Sequence, residues 1–167
     1  STHVVADVTG YFTRFPLEQF TTKGDILVVA NQPNPTDLSS GTCQRITTCT
    51  VTSPPNTIGK VVIRSMAQVS LNHTQGTHDR VTVGSKLGAE VPPNCTAIND
   101  QVANMDFELP DIHPTSSDVD VTLTHGRDFP QPGGVTRTYS LLTNMIIGAS
   151  TGDQIESARM ICMFIPD

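Results

Sequence analysis

The stretch Lys60-Val-Val-Ile-Arg-Ser-Met-Ala-Gln-Val-Ser-Leu-Asn72 alternates apolar and polar residues along most of its length. One set of alternate positions is apolar and the other is largely polar: Val61, Ile63, Ala67, Val69 and Leu71 against Arg64, Gln68, Ser70 and Asn72. Successive side chains of a β-strand point to opposite faces of a sheet, whereas a helix repeats every ~3.6 residues. The stretch therefore predicts a strand with one face in a core and the other in solvent.

The same period of two recurs along the chain, and no helical window interrupts it. It is strongest over residues 135–147 and 155–165, and shorter over residues 25–30, 44–51, 80–87, 101–109 and 119–124. Breakers rich in Pro, Gly and Asn separate these segments, the longest being Pro130-Gln-Pro-Gly-Gly134. Such strands predict an all-β fold, an antiparallel β-sandwich of the jelly-roll type, with an immunoglobulin-like sandwich as the alternative. The absence of Trp weakens the alternative, because immunoglobulin cores pack a Trp against their disulfide.

Four cysteines, Cys43, Cys49, Cys95 and Cys162, set the redox compartment. An even count in a chain with only 16% charged residues favours disulfides formed in an oxidising compartment. Three pairings are open from the sequence; we expect Cys43–Cys49 as a local link and Cys95–Cys162 as a long-range link. The sequons at Asn72 and Asn94 add N-glycosylation sites if the host glycosylates. Together these features predict a secreted protein, extracellular or on the cell surface.

Several functions are disfavoured by composition and by the lack of motifs. The net charge is −6 and the ten Lys and Arg residues are not clustered, so no nucleic-acid partner is expected. No segment approaches the ~20 apolar residues of a membrane span, so no membrane insertion is expected. No nucleophile elbow, zinc signature or phosphate-binding loop occurs, so we expect no enzyme and no catalytic residues. We expect no cofactor and no metal site, with only weak calcium candidates at Asp111, Asp118 and Asp120.

The N-terminal segment is the most distinctive part of the sequence. Residues 1–12 have the pattern of a complete β-strand, with Val4, Ala6 and Val8 on one face and Val5 on the other. The segment ends in Gly-Tyr-Phe. Residues 11–24 carry three phenylalanines, which a solvated linker would not normally do. We therefore expect two parts: an N-terminal strand and hinge over residues 1–24, and a sandwich domain over residues 25–167.

Residues 3–12, His-Val-Val-Ala-Asp-Val-Thr-Gly-Tyr-Phe, resemble the strand that closes repeat domains in large secreted bacterial surface proteins. The remainder is similar in style to jelly-roll modules of extracellular proteins. The resemblance implies that this strand belongs to another sheet, although it can equally be the first strand of the chain's own sheet.

A strand without its own sheet exposes backbone groups that a neighbouring subunit can pair. We therefore expect a secreted structural or adhesive subunit that self-assembles into a filament or surface layer, so that its partners are copies of itself in a homo-oligomer or polymer. The residues of the exchanged strand would be Val4, Val5, Ala6, Val8, Tyr11 and Phe12. The alternative is a monomeric extracellular module that binds a ligand or carbohydrate, with a cell-surface glycan or protein as its partner.

Overall fold

The computed structural model describes residues 26–32, 34–39, 41–91, 105–148 and 150–167, and every regular element in these ranges is a β-strand. The N-terminal strand and hinge predicted over residues 1–24 lie outside the described residues, as do Asn94 and Cys95. Within the described ranges, no helix is long and apolar enough to cross a membrane.

Nine strands follow one another along the described chain: β1 Ile26–Gln32, β2 Thr36–Asp37, β3 Cys43–Thr52, β4 Gly59–His73, β5 Asp79–Leu87, β6 Met105–Leu109, β7 Ser116–Gln131, β8 Thr136–Ile147 and β9 Gln154–Pro166. They form two antiparallel sheets that pack face to face. The first has the order β1-β9-β4-β7, with β2 also paired to β9, and the second has the order β3-β8-β5-β6. We call them the first and the second sheet.

The order of connections identifies the type of sandwich. After β2 the chain crosses from one sheet to the other at every step except between β5 and β6, so that sequential strands rarely pair. A five-stranded and a four-stranded sheet interleaved in this way, with the first long strand beside the last, form a jelly roll. The predicted fold class is confirmed. The immunoglobulin-like alternative would place consecutive strands together in one sheet and is not adopted.

The alternating residues that predicted the strands build the core between the sheets. On β4 the predicted inward set, Val61, Ile63, Ala67, Val69 and Leu71, is fully buried. On β9 the inward residues are Ala158, Met160, Cys162 and Phe164, as the alternation predicted. Burying an aliphatic or aromatic side chain of this size contributes roughly 1.5–3 kcal/mol, so these two central strands hold the sandwich together.

Strand β7 is longer than its sequence indicated. The pattern predicted a strand over residues 119–124 and a break at Pro130, but β7 pairs with β4 from Ser116 to Gln131. It lies at the end of the first sheet, where a proline is tolerated because the missing N–H can face away from the neighbouring strand. Its last residue is tied to the interior, since Gln131 accepts a hydrogen bond from the Tyr139 hydroxyl and donates to the Val51 carbonyl.

The preferred disulfide pairing is wrong. Cys49 is bonded to Cys162, so neither the Cys43–Cys49 nor the Cys95–Cys162 link exists. Cys43 and Cys49 lie on the same strand, where six residues span ~20 Å, too far for a disulfide. The register also shifts between Arg45 and Thr47. Cys49 therefore faces the core, while Cys43 packs with Leu142 in a separate small cluster and forms a different disulfide.

Candidate functional site

The long edge strand β7 is the first surface that can receive a partner. Among the described residues it pairs with β4 on one side and with no strand on the other. The segment from Val119 to Thr124 runs in regular register with β4, and Val119 and Val121 are only partly buried against the core. A regular strand with free N–H and C=O groups and half-covered valines is a template for strand addition.

The other half of β7 carries features that discourage pairing. His125 and Arg127 point inward from the edge, and Pro130 follows on the exposed side. Natural sheets use inward-pointing charged residues and prolines to block edge-to-edge association. The open part of the edge is therefore the segment 119–124.

A serine and a histidine meet in the interior beneath this edge. His125 Nε2 accepts a hydrogen bond from the Ser85 N–H at 3.2 Å and lies 2.7 Å from Ser85 Oγ. Arg127 donates to the Ser85 carbonyl oxygen at 3.1 Å. Burial, reinforced by Arg127 and Arg64, lowers the pKa of His125 from 6.5 to about 4, so the imidazole is neutral. A serine beside a neutral imidazole is the contact of a nucleophile and its base, but Ser85 is fully buried and a substrate has no access to it.

The second surface is a depression of about 490 Å³ on the outer face of the first sheet. The residues around it come from three adjacent strands: Arg64, Ser65 and Met66 from β4, Thr124, His125 and Gly126 from β7, and Arg159 and Ile161 from β9. Arg64 is opposite Ile161 and Met66 is opposite Arg159, so the two arginines are diagonal neighbours. Diagonal positions on a sheet are ~7–8 Å apart, close enough for both guanidinium groups to reach one oxyanion.

Glycine at position 126 gives Arg64 the space that it occupies. A Cβ at Gly126 would lie 2.6 Å from Arg64 Nη1, so any other residue would displace the guanidinium group. Arg64 donates only to the carbonyl of the preceding Ile63, and neither Arg64 nor Arg159 pairs with a carboxylate of the described residues. By contrast, Lys60 on the same face is paired with Asp128 at 3.1 Å. The depression thus combines two unneutralised arginines with the apolar side chains of Met66 and Ile161.

Another polar cluster, around His73, lies at one end of the sandwich. His73 Nδ1 lies 2.5 Å from Asp79 Oδ2, and His73 Nε2 donates to the His113 carbonyl oxygen at 3.1 Å. Both side chains of the His73–Asp79 pair are fully buried. Both ring nitrogens are engaged, so this histidine connects the start of β5 to the loop between β6 and β7 and offers no free base.

Asn72, next to His73 in the sequence, makes three hydrogen bonds. Its N–H donates to Asp153 Oδ1 at 2.7 Å, its Nδ2 donates to the Thr151 carbonyl at 2.8 Å, and its Oδ1 accepts from the Asp118 N–H at 3.1 Å. Burial raises the pKa of Asp153, and its hydrogen bonds with the Ser150 and Asn72 backbone oppose that shift. The residue that was predicted as a glycan acceptor thus connects the end of β4 to the loop between β8 and β9 and to β7. A glycan would replace a hydrogen on Nδ2 and compete with the contact to Thr151.

The predicted calcium residues do not converge. Asp111, Asp118 and Asp120 are all exposed, and within the described ranges no group of three or more His, Cys, Asp or Glu side chains is placed to share a metal ion. The assembly residues Val4, Val5, Ala6, Val8, Tyr11 and Phe12 lie outside the described residues, as does Asn94.

Sequence reasoning missed the depression that contains Arg64 and Arg159, which we call the arginine depression. Arg64 and Arg159 are 95 residues apart along the chain, and each occupied an ordinary polar position of an alternating strand. The only available signal was that both arginines occupy polar positions of strongly alternating strands, which predicts that both side chains face outward. Only the pairing of β4 with β9 makes them neighbours.

Comparison with known proteins gives no family for the chain, since no protein-family model and no curated protein matches it. One similar solved structure is the mosquito-larvicidal Cry4Aa toxin of Bacillus thuringiensis, with 14% identity and a TM-score of 0.35 over 84% of this chain and 21% of the toxin. Two structures of a CocE/NonD family hydrolase from Staphylococcus aureus give 13% and 14% identity and TM-scores of 0.29 and 0.28. They cover 85% and 86% of this chain but only 32% and 33% of the hydrolase. Likenesses this low carry no argument about function.

Proposed function

We propose that the chain is a secreted structural or adhesive subunit that assembles by strand addition. Residues 4–8 of one copy would pair with residues 119–124 of β7 in the next copy. The observation that carries this proposal is the open edge of β7, where Val119 and Val121 are only partly covered. A donated strand supplies both the backbone partners and the apolar side chains that this edge lacks.

The two segments match in length and in chemistry. The donor has five residues, Val-Val-Ala-Asp-Val, and the open part of the edge has six, Val-Asp-Val-Thr-Leu-Thr. Both are rich in β-branched residues, and both alternate in a way that puts small apolar side chains on one face. Since donor and acceptor are different surfaces of the same chain, the contact is head-to-tail, and it builds an open filament unless a ring closes.

The disulfide framework supports a place outside the cell. Cys49–Cys162 is present and Cys43 is also disulfide-bonded, which is expected where thiols are oxidised. The two histidine contacts give no support to a catalytic alternative, because Ser85 is fully buried and both ring nitrogens of His73 are engaged.

The alternative, a monomeric module that binds a ligand or carbohydrate, receives less support. Protein sites for sugars usually present exposed Trp, Tyr or Phe rings, and none of these lines the depression among the described residues.

The proposal is tested on the full chain by sedimentation velocity over a range of concentrations. Wild type should form a series of oligomers that grows with concentration, and Ala6→Pro should stay monomeric because proline removes a donor from the strand. Thr13→Pro, placed just beyond the strand, is the matched control and should assemble like wild type. Hydrogen exchange should show more protection at residues 119–124 in wild type than in Ala6→Pro, because N–H groups that do not pair with β4 gain a partner.

A synthetic peptide of residues 3–12 provides a second readout. In excess it should occupy the β7 edge and shorten the oligomers, whereas the same peptide with Ala6→Pro should not. A wild-type chain that remains monomeric at every concentration, or an Ala6→Pro chain that assembles normally, would overturn strand addition.

A further inference from the structure

The arginine depression is lined by apolar and cationic side chains, so it can bind an anionic partner. Arg64 and Arg159 carry no carboxylate partner among the described residues, although the whole chain has a net charge of −6. The two groups repel each other, and Met66 beside them is 46% exposed. A ligand that fits therefore carries an anionic group beside apolar groups.

We propose that the occupant is the chain's own segment Phe15-Pro-Leu-Glu-Gln-Phe20, docked within the same molecule. Glu18 is the only acidic residue between Asp7 and Asp25, and Phe15, Leu17 and Phe20 surround it. Its carboxylate would lie between the two guanidinium groups, each of which presents paired N–H donors to such a group. The phenylalanine rings would cover Met66 and Ile161, and the thioether of Met66 makes favourable contacts with aromatic rings.

The segment is within reach of the depression. In the first sheet, Val29 and Asn31 of β1 are opposite Ile161 and Arg159, so the site lies three to five residues along β1 from Ile26 and two strands across. Strand geometry puts this distance at ~16 Å. Five residues separate Phe20 from Ile26, and six extended steps span ~20 Å, so the chain can fold back across the outer face.

Glu18 and the phenylalanines contribute differently to docking because the site is exposed to solvent. An ion pair at an exposed site contributes little net affinity because water screens it. The aromatic contacts must supply most of the binding, and Glu18 sets the position of the segment. This docking goes beyond strand addition and does not depend on it, since residues 4–8 remain available to a neighbour.

The test measures how fast phenylglyoxal modifies each arginine of the full chain, with modified sites located by peptide mass spectrometry. Docking predicts that Glu18→Gln raises the modification rate of Arg64 and Arg159 several-fold and leaves that of the exposed Arg45 unchanged. Glu90→Gln, an exposed acid away from the depression, is the matched control and should leave all the rates unchanged. The charge-swapped pair Glu18→Arg with Arg159→Glu should restore the protection of Arg64.

Three results would overturn the proposal. Equal rates in wild type and Glu18→Gln would show that Glu18 does not reach the arginines. Protection that disappears on dilution would show docking between molecules and not within one. Protection produced by inorganic sulfate or phosphate, but not by a peptide of residues 13–22 added to Glu18→Gln, would show a free-anion site. Far-ultraviolet circular dichroism of each variant confirms that the fold is intact.

Discussion

Cys49 of β3 is disulfide-bonded to Cys162 of β9, with their Cα atoms 6.5 Å apart. The two residues are 113 positions apart in the sequence and belong to different sheets. Both are buried in the core, so the bond passes through the middle of the sandwich. It links the third strand to the last one and fixes the distance between the two sheets at that point.

Removal of this bond should lower stability strongly. We expect Cys49→Ala combined with Cys162→Ala to reduce the free energy of unfolding by roughly 2–5 kcal/mol, because a loop of this size restricts the unfolded chain. Urea denaturation monitored by circular dichroism measures the change. Since both sulfurs are buried, dithiothreitol should reduce the bond only under partly denaturing conditions. Identical unfolding midpoints with and without the bond would contradict this role.

We expect the second disulfide to join Cys43 to Cys95. Cys43 is disulfide-bonded and Cys49 is paired with Cys162, so Cys95 is the one cysteine left to partner Cys43. Proteolytic mapping under non-reducing conditions should yield a cross-linked peptide that contains Cys43 and Cys95. A peptide that joins Cys95 to Cys162 would refute both the assignment and the inter-sheet bond.

Acid should destabilise the fold through His125. The pKa of His125 is about 4 in the fold because burial disfavours the charged ring, while the unfolded chain titrates near 6.5. Between these values the unfolded state binds more protons, so stability falls as the pH decreases from 6.5 to 4. A pKa difference of this size corresponds to roughly 3 kcal/mol in the free energy of unfolding.

Urea denaturation across this pH range provides the measurement. His125→Gln should flatten the pH dependence, because glutamine accepts a hydrogen bond but does not titrate in this range. His78→Gln is a suitable control, since the His78 side chain is 42% exposed. A wild-type curve that is level between pH 6.5 and 4 would show that His125 titrates normally.

Gly148 should resist substitution for two separate reasons. Its φ is +78°, and a Cβ there would lie 2.1 Å from Asp79 Oδ1. Gly76 has a similar backbone, with φ of +91°, but a Cβ there would meet nothing within 4 Å. Gly76→Ala should therefore cost only the backbone strain of about 1–2 kcal/mol, and Gly148→Ala should cost clearly more. Equal losses in thermal unfolding would remove the steric argument for the His73–Asp79 cluster.

The strands themselves were largely predictable. The alternation in β4 and β9 identified their inward residues, because a strand with one face in the core must separate apolar from polar side chains with a period of two. The alternation failed where a second surface is buried. On β8 the alternation places Tyr139, Leu141 and Met145 in the core, but Leu142 and Asn144 on the opposite face are also buried. It also failed at Pro130, where the edge position of β7 lets a proline stay in the strand.

The sequence by itself determined the fold class, the inward faces of β4 and β9 and the presence of disulfides, because these follow from local periodicity and residue type. The tertiary structure decided which cysteines meet, because a one-residue register shift between Arg45 and Thr47 turns Cys43 away from the core while Cys49 faces Cys162. It also decided that Arg64 and Arg159 share a surface and that β7 is an edge strand among the described residues. These properties depend on which strands are neighbours, and neighbours in a jelly roll are distant in the sequence.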